Sequence, residues 1–279
     1  MPLGHLGAFL LLLPALLLMA LVFLIPIGWF VIGALSELGG LAEIWEEAVA
    51  VLGSRAIIGA ILNTNWIAFL VTCLTLLIGY PVAYALSRAK GLVFTLILVC
   101  ILLPYFTSVI VRTYAWMVLL GRNGLINQAL LGLGIIEAPL QLMYNRAGVL
   151  IGMTYVLLPY MVLTLYSAMK AVDPRLLQAA EGMGASPLRV FFKVFMPLTL
   201  HGVIAGGLIV FILGIGFFIT PALMGGPSDI MIAMLIEREI ELLLNWPVAA
   251  LMTLVLLAVT LSLYAVYHRV SARAPGLAP

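Results

Sequence analysis

Long uninterrupted apolar runs constrain this chain more than any other feature. Six stretches, at residues 8–35, 66–86, 92–110, 148–169, 198–220 and 248–267, are each apolar enough and about long enough to cross a bilayer. A backbone in hydrocarbon must satisfy its own hydrogen bonds, so runs of this length are helices. The fold class expected is therefore an all-α integral membrane protein with six transmembrane helices. Composition agrees: 65% of residues are apolar and 9% charged, and the mean hydropathy is +1.26. A soluble domain is nearer half apolar and a quarter charged. The first run has no preceding Lys or Arg and exceeds a secretory h-region in length, so a retained span is expected.

Charge placement sets the expected orientation. With both termini cytoplasmic, the inner segments hold Arg88, Lys90, Lys170, Arg175, Arg189, Lys193, Arg269 and Arg273. The outer segments hold Arg55, Arg122, Arg146 and Arg238, and Arg112 falls at a membrane edge, which accounts for all 13 basic residues. Of the 11 acids, only Asp173 and Glu181 lie inside. The others are Glu37, Glu43, Glu46, Glu47, Glu137, Asp229, Glu237, Glu239 and Glu241. The outer segment at 36–65 is long enough for a surface helix. Turn signals stand at Arg122-Asn123-Gly124 and Glu137-Ala138-Pro139. The division expected is a first span with its outer segment (1–62), a transmembrane core (63–268) and a cytoplasmic tail (269–279).

The inner segment at 173–196 carries the strongest local signals. Asp173-Pro174 is an N-cap followed by a first-turn proline. The helix it opens runs through Gln178-Ala179-Ala180, and Gly182 and Gly184 are expected to stop it. Ser186-Pro187 repeats the start signal. Leu188, Phe191, Phe192 and Phe195 then fall on one helical face, and Pro197 marks entry to the fifth span. Small residues at Ala179, Ala180, Gly184 and Ala185 leave room for a second protein. An amphipathic connector lying on lipid is the alternative.

This segment resembles the signature of permease subunits of binding-protein-dependent ABC importers. That signature reads Glu-Ala-Ala, three residues, Gly, nine residues, Ile-x-Leu-Pro. Here Gln178-Ala179-Ala180 is followed at the same spacing by Gly184 and by Val194-Phe195-Met196-Pro197. Gln178 carries no charge where the signature has Glu, so it can offer a hydrogen bond there but not an ion pair. The resemblance implies the type I importer permease fold in a bacterial inner membrane. It also implies that Gln178, Ala179, Ala180, Glu181, Gly184, Ala185, Ser186 and Pro197 couple to a cytoplasmic ATPase. Leu103-Pro104-Tyr105, the stretch from Arg112-Thr113-Tyr114-Ala115-Trp116 to Asn127, and Thr220-Pro221-Ala222-Leu223-Met224-Gly225-Gly226 resemble the polyamine (spermidine/putrescine) group, in particular the longer of its two permease partners. Partners implied are a second permease chain, two copies of the ATPase and an extracytoplasmic solute-binding protein, within membrane lipid and without nucleic acid. Relatives of this group also carry ferric iron and anions.

No phosphate-binding loop occurs, since Lys90, Lys170 and Lys193 are nowhere followed by Ser or Thr. No cofactor or metal is expected on this chain, and no catalytic constellation stands out. His5, His201 and His268 are scattered, and His201 reads as an interface residue. Cys73 and Cys100 lie in apolar runs and read as buried, inert thiols. Tyr105, Arg112, Tyr114, Trp116 and Thr220 are candidates for the solute path, because aromatic faces attract cations. An aromatic belt with a snorkelling arginine is the competing reading. Asn63, Thr64 and Asn65 are expected to cap the second span, and Gly202 and Gly206 to pack helices. A secondary transporter is the rival class, although all acids fall outside the expected spans. A membrane enzyme is third.

Overall fold

The computed structural model describes residues 5–273, with side chains over 12–265. The last six residues of the expected tail, and His5 and His268 as side chains, lie outside that description. Every regular element among the described residues is helical. They are α1 (His5–Met19), α2 (Ile25–Ser36), α3 (Leu41–Gly53), α4 (Arg55–Arg88), α5 (Gly91–Leu102), α6 (Val109–Leu120), α7 (Leu125–Gly132) and α8 (Arg146–Lys170). The rest are α9 (Pro174–Gly182), α10 (Pro187–Val190), α11 (Met196–Leu198), α12 (Leu200–Ile215), α13 (Ile219–Met224), α14 (Ile232–Glu241) and α15 (Trp246–Arg273).

Among the described residues, four helical stretches, Leu12–Ser36, Arg55–Arg88, Arg146–Lys170 and Trp246–Ala265, are long and apolar enough to span a membrane. Two bent pairs raise the number to as many as 6. The third expected span is one of these pairs. Pro104 has no N–H to donate and its ring crowds the preceding turn. The chain therefore leaves α5 through a 3₁₀ turn at Leu103–Phe106, and Thr107 is extended, with its hydroxyl on the Pro104 carbonyl at 2.8 Å. The pair as a whole bends by 106°. The fifth span likewise stops at Ile215 and resumes at Ile219. The surface helix expected after the first span is α3.

The chain forms two compact units. One runs through Ile58 and takes in Leu235–Ala258, and the other holds Gly59–Met234 and the chain from Val259. In the first, Phe30 meets Trp246 edge to face at 6.1 Å. In the second, α8 is the central helix. Val149, Met153, Leu157, Met161, Leu165 and Met169 recur every four residues along it and all are buried. Ile67, Val71, Ala83 and Leu86 of α4 and Val210 of α12 join that core, with Val162, Phe195 and Met231. Gly202 lets α12 approach so closely that a Cβ there would stand 2.3 Å from the Ala168 Cβ, and one at Gly206 would stand 2.9 Å from the Met161 Sδ. Small residues thus set this helix contact, as bilayer packing favours.

Cys73 and Cys100 are exposed on α4 and α5, contrary to the buried thiols expected. A span is apolar on every face because lipid is its solvent, so an apolar run does not report burial in protein.

Candidate functional site: the segment from Asp173 to Pro197 and a polar clamp

The segment from Asp173 to Pro197 folds as its local signals dictate. The Asp173 carboxylate accepts the Arg175 N–H at 2.9 Å and opens α9. At the far end Ala185 donates to the Ala180 carbonyl (3.1 Å) and Gly184 to that of Glu181 (2.9 Å). Gly184 takes φ +84°, the left-handed closure that glycine adopts at low cost. Gly182 remains helical, so a single glycine makes the stop.

The second half differs from expectation. α10 runs into a π-helical turn at Phe191–Phe195 and then α11, and the whole bends by 56° into α12 at Thr199. The bend lies two residues beyond Pro197. The wide turn divides the expected apolar face. Phe195 is buried and Phe191 half-buried, whereas Leu188 and Phe192 are exposed. The extra residue in a π turn rotates side chains out of a 3.6-residue register.

Gln178, Ala179, Glu181, Gly184 and Ser186 are exposed, Ala185 is half-buried and Ala180 is buried. Leu176, Met183 and Leu188 stand beside them, exposed at 49%, 83% and 72%. Apolar side chains grouped on a polar connector suit contact with a second protein or with lipid.

Of the path candidates, Tyr105 and Arg112 lie close enough to interact electrostatically. Tyr105 sits on the 3₁₀ turn with its ring 5.3 Å from that of Tyr160. Trp116 packs edge to face on Tyr155 at 5.3 Å. Thr220 is fully buried, its hydroxyl 3.3 Å from that of Thr113. Tyr114 is exposed and lines a cleft of about 690 Å³ with Arg122, Gln141 and Tyr144. Arg112 is half-buried, and its Nε is buried without a hydrogen-bond acceptor. His201 is exposed on α12.

Sequence reading missed a polar clamp. Asn63 and Thr64 lie inside α4, not at its start, because the helix begins at Arg55. Asn63 donates to the carbonyls of Ser228 (3.2 Å) and Ile230 (3.0 Å) and accepts from Arg146 (2.8 Å). Thr64 accepts the N–H of Ile232 at 2.8 Å. Arg146 also pairs with Asp229, which is fully buried. Asn127, also fully buried, holds the loop before α8 through the carbonyls of Gly121 and Leu140 and the Leu140 N–H. The only local hint was the run of amides and hydroxyls at residues 63–65.

Residues 75–274 match the family of inner membrane components of binding-protein-dependent transport systems. The chain belongs to that family. It is a permease subunit of an ABC importer, a non-catalytic, multi-pass protein of the bacterial inner membrane. Such permeases work with an ATPase and a solute-binding protein. The chain is 36% identical over 207 residues to the spermidine/putrescine permease PotB of Haemophilus influenzae, covering 74% of this chain and 72% of that one. Against PotB of Escherichia coli it is 35% identical over 211 residues, covering 76% and 77%. Among solved structures, a bacterial alginate ABC transporter in complex with its alginate pentasaccharide-bound periplasmic protein aligns with TM-score 0.72 at 17% identity, over 95% and 94% of the two chains. The methionine transporter MetNI aligns with TM-score 0.58 at 16% identity, over 78% and 97%. These structures carry the type I importer permease fold, and with it the family membership removes the secondary-transporter and enzyme readings.

Proposed function

We propose that this permease subunit forms half of the path by which a polyamine enters the cell. The observation that carries the reading is the identity of about one residue in three with spermidine/putrescine permeases along three quarters of the chain. The other half is a second permease chain of different sequence. Two copies of a cytoplasmic ATPase dock on the coupling segment, where Gln178, Glu181, Gly184 and Ser186 are exposed beside Met183 and Leu188. A binding protein delivers the solute at the opposite face. Both termini lie inside, as the charge bias favours, and the chain itself holds neither nucleotide nor metal.

The outer acids raise the local concentration of cations. Asp229 does not add to that field, since it is buried against Arg146. The test is ATPase stimulation of the reconstituted complex by binding protein loaded with putrescine or spermidine. Stimulation by either amine supports the reading, and its absence with both refutes it.

A second reading rests on Arg112. A guanidinium with a buried, acceptor-free Nε favours a solute bearing an anionic group. A relative from Salmonella paratyphi A named for 2-aminoethylphosphonate transport, PhnU, is 30% identical over 269 residues, which cover 94% of this chain. Stimulation by the aminophosphonate and not by amines would select this solute class.

A further inference from the structure

Two helices each carry a weak point, and one side chain links them. Pro81 lies inside α4 and has no N–H for the carbonyl one turn back, so that turn of the helix lacks a bond. Thr199 occupies the 56° break before α12, directly after the π turn and α11. Prolines and π turns are where long helices bend. Between the two points stands one hydroxyl pair: Tyr80 Oη and Thr199 Oγ1 are 2.9 Å apart.

The direction of that bond follows from its neighbour. Thr199 gives its proton to the Met196 carbonyl at 3.0 Å. Its oxygen therefore accepts, and Tyr80 donates. Thr199 is fully buried, and in low dielectric such a bond is hard to replace.

Aromatic contacts continue along the same face of α4. Tyr84 meets Phe191 at 5.3 Å and Phe195 at 5.4 Å, both edge on, and the Arg88 guanidinium lies 4.9 Å from the Tyr84 ring centre. Rings in edge contact can slide while keeping contact. Beside them a cavity of about 120 Å³ is lined by Tyr84 and Arg88 together with Leu177, Glu181 and Val190. The coupling segment thus rests on α4 through slippery contacts and a void, with one directional bond at the hinge.

We propose that the Tyr80 hydroxyl is a positioning group for coupling: it pins the hinge at Thr199 to α4, so that displacement of the coupling segment bends α4 at Pro81. Without the pin the segment slides over the aromatic face, and ATP is hydrolysed with less transport. The inference rests on the ATP-driven import reading and names no new partner.

The test is uptake per ATP hydrolysed by the complex in proteoliposomes, with the wild-type chain assayed beside its variants. Tyr80→Phe should lower uptake per ATP by about fivefold, the scale of one lost hydrogen bond. Thr199→Val should do the same, Thr199→Ser should keep the wild-type ratio, and the double variant Tyr80→Phe/Thr199→Val should be no worse than either single change. An unchanged ratio in Tyr80→Phe, or uptake and hydrolysis falling in equal proportion as for a merely structural role, would overturn the inference. Wild-type uptake that did not require ATP would instead overturn the import reading beneath it.

Discussion

Arg146 at the start of α8 reaches Asp229 in the loop before α14, Nε donating to Oδ1 across 3.1 Å. Its other arm meets the Asn63 side-chain oxygen at 2.8 Å. Three segments distant in sequence are joined by one side chain. Backbone geometry fixes the same place. Tyr144 holds φ +59°, and a Cβ on Gly226 would stand 2.5 Å from the Tyr144 carbonyl oxygen. The second oxygen of Asp229 accepts the Gly226 N–H at 3.1 Å.

Removing the cation alone should destabilise the chain. Arg146→Met leaves the Asp229 charge buried and unpaired. A fully buried pair loses about 3–5 kcal/mol in this way. Arg146 is 41% exposed, so about 2 kcal/mol is expected here after solvent screening. Thermal unfolding in detergent should show a lowered Tm that Arg146→Met/Asp229→Asn partly restores. Equal losses in the single and double variants would contradict the clamp.

Gly184 separates backbone from surface effects. A Cβ there meets nothing within 4 Å, but φ is +84°. Asn tolerates the left-handed region better than most residues, so Gly184→Asn should insert and retain most ATPase co-purification. If the segment docks the ATPase as proposed, Gly184→Arg should insert yet lose co-purification and uptake, because its side chain projects from an exposed surface. Loss of the ATPase in both variants would point to the backbone instead.

The orientation is open to chemical labelling. In a variant with Cys73 and Cys100 replaced by Ser, a cysteine at Ser186 should be shielded from an impermeant thiol reagent in intact cells and react once the membrane is opened. Rapid labelling from outside would reverse the inside placement of the coupling segment.

Two glycines of α12 should respond in opposite ways to alanine. At Gly202 the new Cβ would lie 2.3 Å from that of Ala168, and at Gly207 3.6 Å from Thr72 Cγ2, an ordinary contact. Gly202→Ala should cost about 1–3 kcal/mol by overpacking. Gly207→Ala should be neutral or gain up to about 1 kcal/mol from helix propensity. Thermal stability of the two purified variants measures the difference, and equal stabilities would exclude glycine-set packing of α12 on α8.

What short-range physics controls is legible along the chain. Hydropathy over about twenty residues marks a span, so the membrane class and most spans were legible. Capping and left-handed closure act within one turn, so Asp173 and Gly184 announced the limits of α9. The resemblance of the segment from Gln178 to Pro197 rests on the same local spacing. What depends on the opposite surface is set only when distant segments meet. Asn63 read as a cap, because its partners at Ser228 and Ile230 lie 165 and 167 residues away. Tyr80 and Thr199 are 119 residues apart, and neither signals the other. The thiols of Cys73 and Cys100 read as buried, although both are exposed. In a membrane, apolar character is required facing lipid and facing protein alike, so hydrophobicity places a residue in the bilayer without choosing its face. That choice falls to close packing at glycines such as Gly202, and to hydrogen bonds such as those of Asn63, whose partners meet only when the helices assemble.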